Sequence, residues 1–227
     1  DLARAPDVSA SVRGEAARRV IELHEGAEPG SAEAEALRAA YEALFAAGAL
    51  DGRELRVLSA LRGEAEAPPA VVAEPLERAL ETAASDEARL ELHRLALRVW
   101  DGAGVWERAE GHAARTAELT GAAEDWLATA ELRAWLGDIE GGEAAARAAL
   151  ERAPDAPRVH EQLVHLAERA DDPGLLAERL ERFAAIDAEA RSEVRADRFA
   201  RAAEAARRAG DPERVGAALL RALELDP

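Results

Sequence analysis

Apolar residues recur along this chain at three- and four-residue spacing, the period of one helix face, and no stretch alternates as a half-buried strand does. Over residues 9–25, Val12, Ala16, Val20 and Leu23 make one stripe. Gly26 to Gly30 break it, and Ser31 is placed to cap the next helix, its hydroxyl accepting from the free N–H groups of the first turn. Leu37, Tyr41 and Leu44 form the second stripe, which Gly48 ends as a C′ residue. Asp51 and Glu54 predict a capping box ahead of Leu55, Leu58 and Leu61. The segment 63–69 carries two adjacent prolines and no apolar anchor. The helix that follows, to about residue 84, contains Pro75, where it is expected either to kink or, the favoured reading, to start again with Pro75 as its first residue.

Ser85 caps a further helix with Leu92, Leu95, Ala96 and Val99 inward. A turn at 101–104 leads to a helix ending near Thr120, and from there the pairs become regular. They meet across Gly137, across Asp172-Pro173 and across Asp211-Pro212; in the last two an Asp N-cap precedes a Pro at the first helical position. The glycines at 104 and 137 stand one period apart. From 137 to 210 is two periods and a few residues more, an insertion placed at 187–195, where the helix is expected to be longer.

The stretch 124–154 shows what repeats. Trp126, Ala130 and Leu132 lie on one segment, Gly137-Asp138 at the turn, and Ile139, Ala145, Ala149 and Leu150 on the second, before Pro154. Phe199, Ala203, Gly210, Asp211, Ala222 and Pro227 repeat the layout. It resembles the tetratricopeptide repeat family, whose unit is a helical hairpin about 34 residues long. The match is closest over 123–156 and 196–227, with Arg133 where the family prefers a large apolar residue and Gly142 where it prefers Ala. The resemblance implies an all-α fold, a right-handed α-solenoid of about six antiparallel helical hairpins. After a lead-in at 1–8, it divides the chain into irregular hairpins over 1–84 and a regular array over 85–227.

Charge narrows the partner. The net charge is −17, and the 29 basic residues are all arginine. Nucleic acid needs a basic face, so it is excluded as a partner, and a basic or mixed-charge protein or peptide is favoured. Charged residues make up 33% of the chain, and no run approaches the roughly 20 apolar residues of a membrane span. Cysteine is absent, which removes disulfides and thiolate metal sites. The chain opens at Asp1 without a signal-peptide pattern or a methionine; it reads as a piece of a longer protein, with the cytoplasm favoured.

Catalytic patterns fail on spacing. His160 and His165 flank Glu161 as in a zinc-protease motif with one residue added, and ligands five apart on a helix diverge by about 140°. Gly102-x-Gly104 lacks the third glycine and the preceding strand of a dinucleotide site. Glu131 and Glu161 read as a solvated charged face rather than an acid–base pair, and the serines read as caps. The expectation is therefore no enzyme, no cofactor and no metal. Trp126 is expected to pack inside its repeat, and Trp100 and Trp106 to close a hairpin. Trp135 is read either as a binding anchor or as core between repeats.

In the family it resembles, the first helix of each hairpin lines a concave groove. That implies groove positions at Glu91, Arg94 and Arg98, then Leu127, Glu131 and Trp135, then Arg158, Glu161 and His165, and finally Glu204 and Arg208, with an acidic middle. A carboxylate clamp of lysine and asparagine is ruled out, because the chain has neither. The implied function is a non-catalytic protein–protein interaction scaffold. The alternative is a structural segment that self-assembles by end-to-end stacking.

Overall fold

The computed structural model describes residues 10–24, 26–28 and 30–226, so the lead-in at 1–8, Glu25 and Pro227 lie outside the described residues. Those described form twelve α-helices and no strand. The helices are α1 (Ala10–His24), α2 (Ala32–Ala46), α3 (Gly52–Glu64), α4 (Pro69–Thr82), α5 (Asp86–Gly102) and α6 (Trp106–Thr120). They continue as α7 (Ala123–Leu136), α8 (Ile139–Arg152), α9 (Pro157–Arg169), α10 (Pro173–Ile186), α11 (Ser192–Ala209) and α12 (Pro212–Leu225). Two compact units divide the chain, Asp1–His112 and Ala113–Pro227, with the division falling inside α6.

In the first unit the helix ends form where the cap residues stand. Ser31 Oγ accepts from Ala34 N at 3.1 Å and Ser85 Oγ from Ala88 N at 3.2 Å. Asp51 and Glu54 close the capping box, each contact at 2.9 Å. Gly48 takes a φ of +66°, the left-handed turn that ends α2. Leu37, Tyr41 and Leu44 are buried, as are Leu55 and Leu58.

Two expectations change here. On α1 the buried residue is Ala17, joined by half-buried Val20 and Ile21 against Ala40 and Leu44 of α2. Val12 and Leu23 are 44% and 63% exposed. The inward stripe is rotated by one residue, about 100°, from the one the spacing suggests. The second change concerns α4, which starts at Pro69 and runs unbroken through Pro75. A buried proline is tolerated there because α3 supplies donors to the carbonyls around it: Arg62 reaches Val71 O at 2.7 Å and Ser59 Oγ reaches Val72 O at 2.8 Å.

The second unit repeats one hairpin design. Asp138, Asp172 and Asp211 each cap a helix through the N–H three residues on, at 2.9, 3.0 and 3.0 Å. Gly137 and Gly210 end the preceding helices with φ of +84° and +75°. Leu127, Ala130 and Ala134 of α7 pack with Ala145, Ala146 and Ala149 of α8 and with Val159, Leu163 and Leu166 of α9. Trp126 lies half-buried against this core, with Arg152 over its ring at 5.5 Å. Gly142 has a packing reason: a Cβ there would stand 2.9 Å from Leu166 Cδ2 and 3.4 Å from Ala130 O. The expected long helix is α11, at 18 residues, and Arg198 anchors its start to Asp187 at 2.6 Å.

Candidate functional site

Because α7 and α9 are both first helices of their hairpins, they lie side by side and leave a groove of about 520 Å³ between them. Its lining includes Glu131, Ala134 and Trp135 from α7 and Arg158, Glu161, Gln162, His165 and Arg169 from α9. Five of the sequence-derived positions, Glu131, Trp135, Arg158, Glu161 and His165, therefore meet in one place. Trp135 is 80% exposed, so it is not core between repeats. An indole standing almost wholly in water at a groove wall has no packing role in this chain.

The spacing on α9 explains the wall opposite. Glu161, His165 and Arg169 are successive fourth residues, stacked along one helix face. The sequence places neither Arg169 nor Gln162 among the groove positions, although the same fourth-residue rule reaches Arg169 from His165. Arg158 pairs with Glu131 across the groove at 3.1 Å; both are well exposed, so the pair contributes under about 1 kcal/mol. Among the described residues Glu161 and Arg169 form no ion pair, and Gln162 Nε2 has no hydrogen-bond partner. The groove thus carries two carboxylates and two guanidinium groups. One of each sign is already paired, and its middle is mixed rather than acidic.

Leu127 does not line the groove. It is 4% exposed and belongs to the core, because eight residues along a helix advance about 80° beyond two full turns. Trp135 and Leu127 therefore face different sides of α7. Glu204 and Arg208 sit exposed on α11 outside the groove lining. Arg207 holds the Glu204 carboxyl below its usual range by a direct hydrogen bond, and Arg208 pairs with Asp171 at 3.1 Å. Arg94 and Arg98 are exposed on α5 in the first unit, where neighbouring Glu91 pairs with Arg56 of α3.

The two histidines of the would-be metal motif part company. His160 is 1% exposed, with its Nε2–H donated to Pro154 O at 2.7 Å, whereas His165 is exposed in the groove. No cluster of three metal-ligating side chains occurs among the described residues, and none of their helices is long and apolar enough to cross a membrane.

No protein-family model and no curated protein matches the chain. Solved structures do. One is the C-terminal part of a TPR repeat-containing protein from Cytophaga hutchinsonii, with a TM-score of 0.53 and 14% identity over 98% of this chain and 85% of that one. Another is YrrB, described as a TPR protein with an unusual peptide-binding site, with a TM-score of 0.51 and 12% identity over 82% of this chain and 92% of that one. MamA is a third, with a TM-score of 0.49 and 12% identity over 77% of this chain and 94% of that one. At these identities the first two likenesses speak for the fold.

Proposed function

From the tetratricopeptide-repeat fold of this chain, we propose that it is a non-catalytic protein-interaction module whose α7–α9 groove receives an extended peptide of mixed charge. The observation that carries this reading is Trp135, 80% exposed beside the uncommitted charges of Glu161 and Arg169. Exposed tryptophan flanked by groups of both signs is the composition of an interface hot spot. The groove lining holds no serine, threonine or cysteine beside His165, so it lacks the nucleophile of a catalytic arrangement. The peptide-binding site for which YrrB is described lends support at the level of the fold.

The test uses synthetic extended peptides with alternating arginine, glutamate and leucine, followed by fluorescence anisotropy and stopped flow. Replacing Glu131 and Glu161 by arginine is expected to slow association and flatten its salt dependence, because exposed charges act on encounter. Trp135→Ala is expected to speed dissociation instead. Circular dichroism should show both variants folded. Peptides that bind both variants as fast and as tightly as the parent would remove recognition from this groove.

A further inference from the structure

The charges of the α7–α9 groove have an order as well as a balance. Arg158 and Glu131 neutralise each other across it at 3.1 Å. Glu161 and Arg169 are both exposed, both line the groove, and form no ion pair among the described residues. They stand eight residues apart on α9, with His165 halfway between them. Successive fourth residues drift by about 40°, so this row runs obliquely over the helix. The groove follows it, since all three side chains lie in the lining. The free negative and positive groups are thus held about 12 Å apart by the rise of a single helix.

An extended chain advances about 3.3 Å per residue, so four residues cover about 13 Å. Its side chains alternate: in a stretch of five, the first, third and fifth point one way and the second and fourth the other. With the odd positions turned to α9, the two ends of the stretch reach Glu161 and Arg169, and the middle residue faces His165. The even positions then face α7, where the Trp135 indole is 80% exposed. Other spacings fit less well. Two residues cover only about 7 Å, and three turn the second charge towards α7.

Resting on the reading of this groove as a peptide site, we propose that its partner is an extended segment with a basic and an acidic residue four positions apart and apolar residues at the second and fourth places between. The basic side chain pairs with Glu161, the acidic one with Arg169, and an apolar one lies against Trp135. Either chain direction satisfies the pattern, because the groove orders charges along its length rather than amide bonds.

Fluorescence anisotropy with labelled peptides, blocked at both ends, tests this on the full chain. At about 0.15 M salt, charges more than about 8 Å away are largely screened, which limits the influence of the chain's overall acidity. Arg-Val-Thr-Val-Glu and Val-Arg-Glu-Thr-Val have one composition, and their β-branched residues favour an extended backbone. The second should bind about two- to fivefold more weakly, the loss expected for one exposed ion pair. Arg169→Glu should move the preference to Arg-Val-Thr-Val-Arg, and Glu161→Arg to Glu-Val-Thr-Val-Glu. Arg221→Glu, a reversal on α12 outside the groove lining, should leave the preference of the parent in place. Equal binding of the two isomers, lost from both with Trp135→Ala, overturns the spacing while the groove remains a peptide site. A shift with Arg221→Glu as large as with Arg169→Glu also overturns it, since net charge alone would then be read. Failure of every peptide to bind, or binding that Trp135→Ala leaves untouched, removes the groove reading and this inference with it.

Discussion

Through Nη1, Arg62 donates at 2.7 Å to the carbonyl of Val71, the acceptor that Pro75 leaves without its helical N–H. Arg62 is 6% exposed, and its other donors reach Glu42 at 2.8 Å and Glu74 at 3.0 Å. One guanidinium therefore repairs the proline defect and ties α2, α3 and α4 together. Arg62→Leu should lower stability by roughly 1–3 kcal/mol, by removing the charged donor that serves the Val71 carbonyl and the two carboxylates. In a Pro75→Ala background the alanine supplies the missing N–H to Val71, and the cost of losing Arg62 should fall by about 1 kcal/mol. Urea unfolding of the four proteins measures this coupling; strictly additive losses would show that Arg62 acts through its carboxylates alone.

That contact also marks where the sequence stops being legible. Caps and turns are readable because their chemistry is local: Ser31, Asp51-x-x-Glu54, Ser85 and the Asp-Pro starts each act within four residues. The hairpin repeat is readable for the same reason, since Gly137 and Gly210 carry the left-handed turns it demands. Pro75 misleads because its compensation comes from Arg62, thirteen residues earlier on another helix. The face of α1 misleads because Ala17 and Ala16 are equally apolar neighbours, and only packing on α2 chooses between them. In the groove, Glu131, Trp135, Glu161 and His165 follow from helix geometry once the hairpins are aligned. Leu127 does not, because the alignment ignores the drift of a helix over two turns.

Acid should weaken the first unit at an identifiable place. Nδ1 of His93 on α5 lies 3.0 Å from Nδ1 of His112 on α6. Burial, and after it the Arg108 guanidinium, hold His112 below its ordinary pKa of 6.5. Above that value both folded and unfolded states are neutral and the full stability is present. As pH falls below it, the unfolded chain takes up a proton that the folded imidazole refuses, so stability declines until pH reaches the lowered folded pKa. His112→Gln should flatten the urea midpoint between about pH 7.5 and 5.5 relative to the parent. An identical pH slope in both proteins would place the acid sensitivity elsewhere.

The last expectation isolates the one tryptophan whose position has no packing explanation. Trp135 is 80% exposed, against 43% for Trp106 and 6% for Trp100, while Trp126 lies half-buried on the core. Acrylamide, being uncharged, should quench the protein's emission in two classes, with Trp135 dominating the accessible one. Trp135→Phe should remove most of that class and change stability by less than about 0.5 kcal/mol, the usual range for an exposed site. The same substitution at Trp126 should cost more, because that ring packs on Leu127, Ala130 and their partners. A bound peptide should then protect the parent from acrylamide and leave Trp135→Phe unaffected, which ties the optical signal to the groove rather than to folding. Should Trp135→Phe unfold the chain several degrees early, the indole is holding α7 and α9 together, and its exposure reflects structure rather than readiness for a partner.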